Sequence, residues 1–411
     1  MSATVTGLEV RADFPILERS FDGRPLIYLD SASTSQKPQA VIDAVAENLR
    51  RHNANVHRGV YALAQEADAA YEQARERVAA FVRADPKTTI FTKNVTEAIN
   101  LIAYAWGRTN VGAGDAVLIT QMEHHANIVP WQQLCRERGA SLRYLSVDEH
   151  GLLDPAQLDA ELARGDVRIV AFTHVSNVLG TINPVAEMIA RVRDAGAVAL
   201  VDGAQAVPHM AVDVGALGAD FYAWTGHKAL GPTGIGVLHG RRELLEDMPP
   251  FLTGGDMIAS VDFESSTWNE LPYKFEAGTP PIAEAVGLGV AVEYLSTLGM
   301  ERVREHERAL TAHMLARLAE VPGLRVLGPP QAEQRGGLAS FTIEGLHPHD
   351  IAELADRGGV GIRAGHHCAQ PLMRSMGITA TARASVGVYS TPADVDALIE
   401  ALQAGREVFG L

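Results

Sequence analysis

The chain has 411 residues, 47% hydrophobic and 21% charged, with a formal net charge of −15 and two cysteines. That length can bury a large core, in two domains or in one with an appendage; the acidity and the lack of a basic run exclude a nucleic-acid partner, and two thiols exclude a disulfide framework. No segment reaches the ~18 apolar residues of a membrane span, and the N-terminus MSATVTGLEVRADF has early acids and no apolar stretch, so no membrane is expected and the location reads as cytoplasmic.

Residues 1–25 carry no strand of a main sheet and are expected to pack with the C-terminal part of the chain. A strand is predicted at 88–92 (TTIFT), then a helix at 96–106. Strands follow at 116–120 (AVLIT), 167–173 (VRIVAFT), 197–202 (AVALVD) and 220–224 (DFYAW), with helices at 127–138 and 186–194 between them. Short β-branched runs alternating with amphipathic stretches are the mark of crossover units, which implies an α/β fold with a mostly parallel sheet flanked by helices. Within the 127–138 helix, Trp131, Leu134 and Cys135 share one face, so Cys135 reads as core packing. The run GPTGIG at 231–236 has neither dinucleotide nor P-loop spacing and reads as a turn. After residue 299 the pattern changes to a helix (ERVREHERALTAHMLARLAEV), strands at 325–327 and 337–343, and helices at 348–357 and 391–408. The expected division is a large domain at 26–298 and a smaller α/β domain made of 1–25 and 299–411.

Polar groups gather where the predicted strands end: Asn94 and Thr96; Glu123, His124 and His125; His174 and Asn177; Asp202 and Gln205; Thr225, His227 and Lys228. The ligand crevice of an open parallel sheet lies at those carboxyl ends. An amine at the end of a buried strand is costly to keep charged, so Lys228 is expected to have a lowered pKa and to be able to form a Schiff base. Asp202, ending an apolar strand, needs a cation: Lys228 in a structural ion pair, or a protonated pyridine nitrogen that leaves Lys228 free. The start of the Thr96 helix, with unpaired N–H groups and the Thr96 hydroxyl, can hold a phosphate. Cys368 lies among Gly365, the exposed-looking His366 and His367, and Pro371, which suits a reactive thiol more than a buried structural one. His124 and His125 with His366, His367 and Cys368 lack metal-ligand spacing, so no metal is expected.

Asp202-Gly203-Ala204-Gln205 followed by Thr225-Gly226-His227-Lys228 resembles the pyridoxal-phosphate enzymes of aminotransferase class V, within the fold-type I group. More narrowly, NVHRGVYALA (55–64), QMEHHANIVPW (121–131), HVSNVLGT (174–181), FEAGTP (275–280) and RAGHHCAQP (363–371) look like the SufS-type, group II cysteine desulfurases, from about Phe14 to the C-terminus. The resemblance implies that Lys228 holds pyridoxal 5'-phosphate as a Schiff base and moves protons at the substrate α-carbon. His124 would stack on the pyridine ring, Asp202 would pair with its nitrogen and Gln205 would bond its phenolic oxygen. Thr96, Thr225 and His227 would hold the phosphate, and Gly278 and Thr279 would reach that of a neighbouring subunit in a homodimer. Position 225 is Thr where the family commonly has Ser, and both keep the hydroxyl. Arg383, aided by Asn177, would clamp the substrate carboxylate, with Arg363 and His57 assigned only to substrate or loop contacts. Cys368 selects the reaction, since a second thiol takes the sulfur of L-cysteine as a persulfide and leaves L-alanine. The sulfur would pass to a small acceptor protein of a Suf-type system for iron–sulfur cluster assembly. Selenocysteine lyase activity is a close relative, and a class V aminotransferase, lyase or epimerase with an idle Cys368 is the alternative.

Overall fold

The computed structural model describes residues 8–409; the first seven residues of the 1–25 segment therefore lie outside it. Seven strands form the central sheet: β1 (Thr89–Thr92), β2 (Ala116–Thr120), β3 (Ser141–Leu145), β4 (Val167–Thr173), β5 (Val198–Asp202), β6 (Phe221–Thr225) and β7 (Gly236–Gly240). Their order is β1-β7-β6-β5-β4-β2-β3, and only β7 runs antiparallel to its neighbours. The side-chain period of two divides each inner strand between two cores. Leu118, Val170, Phe172, Val201, Tyr222 and Trp224 enter one hydrophobic cluster. Their neighbours Val117, Ile119, Ile169, Ala171, Leu200 and Phe221 enter another on the opposite face. Burying a side chain such as Phe172 or Val170 is worth about 1.5–3 kcal/mol, so these strands need helices on both sides.

Two strands of the central sheet were absent from the sequence expectation. At the sheet edge, β3 (SLRYL) has one buried residue, and its serine and arginine weaken the strand signal. The second, β7 (GVLHG), follows at once from the glycine-rich turn and pairs with both β1 and β6. Its first residue, Gly236, has to be a glycine: a Cβ there would stand 2.5 Å from Asn94 Cα. The helix predicted at 96–106 is α-helical over Val95–Leu101 and widens to a π-type turn over Ile102–Gly107.

A second, four-stranded antiparallel sheet lies in the C-terminal third, ordered Leu324–Val326, Leu338–Ile343, Thr381–Ser385, Arg363–Gly365. Helices Met300–Leu318, Pro348–Arg357 and Pro392–Phe409 bring Leu310, Met314, Leu354, Leu398 and Ile399 against Phe341 and Ala384 to form its core. The N-terminal segment, expected to pack with the C-terminal part, contacts both units. Val10, Phe14 and Leu17 sink into the main core, while Arg11 pairs with Asp394 at 3.0 Å. The short strand Ile27–Tyr28, placed in the large domain by sequence, pairs with Val360–Gly361 of the C-terminal unit. Among the described residues no single helix is long and apolar enough to cross a membrane.

One buried ion pair fixes a loop that matters below. Arg75 donates to both Glu276 oxygens, at 2.6 and 2.8 Å, and Glu276 also accepts from the Phe91 N–H at 2.6 Å and the Tyr71 hydroxyl at 3.1 Å. Both side chains are almost fully buried. Removing one partner strands the other charge, so Arg75→Met is expected to lower stability by about 3–5 kcal/mol. Urea unfolding would show it; a loss below about 1 kcal/mol would mean that Glu276 finds water or protonates without penalty.

Candidate active site

Five parallel strands deliver polar groups to one edge of the sheet. After β1 the chain caps its helix with Asn94, not Thr96: Asn94 Oδ1 accepts from the Glu97 N–H at 3.0 Å and Glu97 reaches back to the Lys93 N–H. Thr96, the second helical residue, is exposed beside the free N–H groups of the first turn. A helix start of this kind favours an anion.

After β2 comes Glu123, fully buried, with its carboxylate accepting from Thr120 Oγ1 at 2.6 Å, Asn127 Nδ2 at 2.7 Å and the Thr173 N–H at 3.0 Å. Burial outweighs those donors and pushes Glu123 up to about 8. These bonds tie the β2 end to the β4 end and so fix the next residue, His124. His124 Nδ1 accepts from the Ala126 N–H at 3.0 Å. Loss of water, then the nearby Lys228 charge, lowers it to about 3, which leaves a neutral ring with a proton on Nε2.

At the end of β5, Asp202 is buried and accepts from the Ala204 N–H at 2.9 Å. Burial raises its pKa, and the Ala204 bond and the Lys228 charge pull it back only in part. Gln205 donates from Nε2 to the Ala32 carbonyl at 2.7 Å. At the end of β6, Thr225 is the last strand residue, and Gly226–Lys228 form one tight turn. Part of Lys228 touches solvent, but the surrounding protein takes its amine out of water and lowers it to about 8, with Asp202 opposing the shift. No hydrogen bond or ion pair joins Lys228 to Asp202 among the described residues, so the structural ion pair is not formed, although the two charges act on one another's titration. His227 is lowered to about 4 by burial and by Lys228 and Lys37.

The substrate-side candidates come from the C-terminal sheet. Arg383 sits opposite Arg363 in the strand register and is 1% exposed. Its Nη1 donates to the Asn177 carbonyl at 2.7 Å, and Asn177 Nδ2 donates to the His367 carbonyl at 2.7 Å. Burial brings Arg383 down to about 10, so it stays charged at neutral pH. Cys368 is partly exposed on a four-residue connection between Arg363–Gly365 and the helix Gln370–Ser375. Its carbonyl accepts from the His125 N–H at 2.7 Å, and His125 Nε2 accepts from the Gln370 N–H at 3.0 Å. Both His367 and Cys368 have positive φ, 50° and 58°, a conformation that non-glycine residues hold only when their surroundings enforce it. His367, which looked exposed in sequence, is buried against Thr381 Oγ1 at 2.8 Å. The thiol lies close enough to Lys228 and Arg383 to act on their titration. Cys135, by contrast, is buried beside Trp131 and Leu134.

Three candidates stand apart within this chain. Gly278 and Thr279 line a separate cleft with Thr92, Lys93 and Gly234, directly after the Arg75–Glu276 pair. His57 packs edge-on against Tyr71 and Tyr273 and bonds Glu72 at 3.4 Å in a cleft of about 450 Å³. Glu72 raises the His57 pKa.

Sequence reasoning missed residues 30–37, DSASTSQK, whose polar run looked like an ordinary connection. The His227 carbonyl accepts from Ser35 N, Thr34 Oγ1, Ser35 Oγ and Lys37 Nζ at 2.9–3.1 Å. Ser33 Oγ accepts from both Arg363 and Arg383. This segment therefore ties the lysine turn to the arginine strands. The only sequence signal was an unusual density of hydroxyls ahead of a buried-strand protein's first helix.

The residues fit pyridoxal phosphate. Thr225 Oγ1 is buried with no hydrogen-bond partner, beside a helix start with free N–H groups, as a phosphate site requires. Asp202 lacks the cation that a protonated ring nitrogen would supply, and Lys228 is an amine lowered toward neutrality. Among the described residues no three His, Cys, Asp or Glu side chains are grouped to hold a metal.

Comparison with known proteins gives the same direction. A family model described as aminotransferase class-V matches residues 27–398. A relative from Streptomyces coelicolor, named a probable cysteine desulfurase, is 52% identical over 98% of this chain and 97% of its own. A cysteine desulfurase from Thermococcus onnurineus superposes with a TM-score of 0.93 at 38% identity, covering 98% of both chains. One from Escherichia coli gives 0.90 at 40% identity, over 97% of this chain and 98% of that one.

Proposed function

Since this chain belongs to the aminotransferase class V family, we propose that it is a pyridoxal-phosphate-dependent cysteine desulfurase, converting L-cysteine to L-alanine and taking the sulfur on Cys368. The observation that carries this reading is the placement of Cys368: a partly exposed thiol on a short loop whose carbonyls are held by His125 and by Asn177, which also bonds Arg383.

Bound at this edge, the cofactor supplies an electron sink for charge developing at the substrate α-carbon. Lys228 Nζ holds it and then moves protons at that carbon, a task for which an amine near neutrality is suited. Asp202 keeps the ring nitrogen protonated, and Gln205 uses its second Nε2 proton toward the phenolic oxygen. His124, neutral and fixed through Nδ1, covers the ring face and offers the proton on Nε2. Thr96, Thr225 and His227 hold the phosphate with the first-turn N–H groups. Arg383 clamps the substrate carboxylate, with Asn177 fixing its guanidinium and Arg363 alongside. The Cys368 thiolate then attacks the substrate sulfur; the carbon–sulfur bond breaks, its electron pair stays with the carbon skeleton, and protonation completes alanine.

In this reading the protein acts as a homodimer in the cytoplasm. The separate clefts of Thr279 and His57 support that assembly, because Gly278 and Thr279 can serve a partner's phosphate and His57 a partner's substrate region. The persulfide passes to a Suf-type acceptor protein for iron–sulfur cluster assembly, and selenocysteine is a second substrate. Residues 299–411, with part of the N-terminal segment, form the unit that presents Cys368. The experiment is incubation with L-cysteine followed by peptide mass measurement. One extra sulfur on the Cys368 peptide is expected; a keto acid with an unmodified Cys368 would instead favour the aminotransferase alternative.

A further inference from the structure

Ser33 carries three hydrogen bonds on one hydroxyl. Arg363 Nη1 donates to it at 2.7 Å, Arg383 Nη2 donates at 2.8 Å, and its own proton goes to Asp30 Oδ1 at 2.7 Å. A hydroxyl has two acceptor lone pairs and one donor, so this set saturates it. The two arginines are register partners on neighbouring antiparallel strands, which points both guanidiniums to the same face. Two like charges at that spacing repel unless an acceptor and a counter-charge stand between them. Ser33 is the acceptor and Asp30, 3.3 Å from Arg383 Nη2, is the counter-charge.

What remains free on the guanidiniums is informative. Arg383 Nη1 is taken by the Asn177 carbonyl and Nη2 by Ser33, yet Nε is buried with no partner. A buried, charged donor without an acceptor is a place for an incoming oxygen. Arg363, partly exposed, has Ser33 as its only side-chain hydrogen-bond partner among the described residues and would otherwise be free to swing into solvent.

We infer that Ser33 is a positioning residue that ties Arg363 to Arg383 as one receptor for the substrate α-carboxylate, and so sets substrate affinity without touching the reacting sulfur or α-carbon. The inference rests on the desulfurase reading above. Ser33 is partly exposed, so alanine would fit there without disturbing the core.

The test uses holoenzyme carrying Ser33→Ala or Ser33→Thr, with steady-state kinetics on L-cysteine and inhibition by L-alanine, which keeps the carboxylate and lacks the sulfur. Ser33→Ala is expected to raise KM and the L-alanine inhibition constant roughly tenfold, with kcat within about twofold and the visible cofactor spectrum unchanged. Ser33→Thr keeps the hydroxyl and should stay within about twofold of wild type. Unchanged KM and inhibition constants in Ser33→Ala would overturn the inference, as would a threonine variant as impaired as the alanine one. A wild-type protein that releases no sulfur from L-cysteine would overturn the desulfurase reading instead, and L-alanine binding followed by the cofactor spectrum would still decide the role of Ser33.

Discussion

A Cys368→Ser protein should bind cofactor with the wild-type visible spectrum and take up L-cysteine, yet release its sulfur at least about a thousandfold more slowly. The physical reason is nucleophilicity: a thiolate attacks sulfur readily, whereas a hydroxyl stays protonated and is a poor nucleophile toward it. The substitution is expected to leave the fold intact, because the loop is held through main-chain groups. The His125 N–H meets the Cys368 carbonyl, and Asn177 meets the His367 carbonyl. Retained sulfide release in the serine variant would show that another group receives the sulfur. Loss of the cofactor spectrum as well would show that Cys368 shapes the site and does not merely act in it.

Removing the amine separates activity from stability in a way that few substitutions do. Lys228→Ala should lose the visible band of the covalently held cofactor and essentially all turnover, a loss larger than that of the cysteine variant. Its effect on the cofactor-free fold has the opposite sign. Burial lowers Lys228 to about 8, below the ordinary lysine value, so the folded state disfavours the charged amine. That contribution to stability is present above the ordinary lysine value and lost as pH falls through about 8. At pH 7 the cofactor-free alanine variant should therefore unfold at equal or higher urea concentration than wild type. Only roughly a tenth of the amine is neutral at pH 7, so cofactor uptake by the wild-type apoprotein should quicken as pH is raised toward 9. A flat rate between pH 7 and 9 would mean that the amine is not the group that captures the cofactor.

The inner strands were readable because they are apolar on both faces, as AVLIT at β2 and VRIVAFT at β4 show, and each was placed within a residue of its observed span. Two others, β3 and β7, were not. The half-exposed β3 carries serine and arginine, and β7 begins and ends in glycine, so neither has the composition that marks a buried strand. The same division holds for the site. Asp202 and Thr225 end their strands, and His124 and Lys228 lie within four residues of a strand end, so the sheet brings them to one edge. Ser33 and Asp30 gain their contacts from two strands more than 300 residues away in sequence, which no local pattern encodes. The helix expected to start at Thr96 starts one residue earlier, behind Asn94, whose side chain reaches the Glu97 N–H while the glycine at 236 leaves room for its backbone. His367 read as exposed from its polar neighbours, yet Thr381 on the adjacent strand provides it with a buried partner.

The left-handed turn at His367 and Cys368 has a consequence for traffic through the enzyme. A connection this short, pinned at both carbonyls and twisted into conformations that side chains resist, makes an unsuitable swinging arm. If Cys368 takes the sulfur as proposed, cargo on its thiol would stay at the dock. A recipient would then have to make the journey, extending its own nucleophile to collect, so the frequency of such visits, and not the mobility of the donor, would govern how fast the enzyme clears for its next substrate.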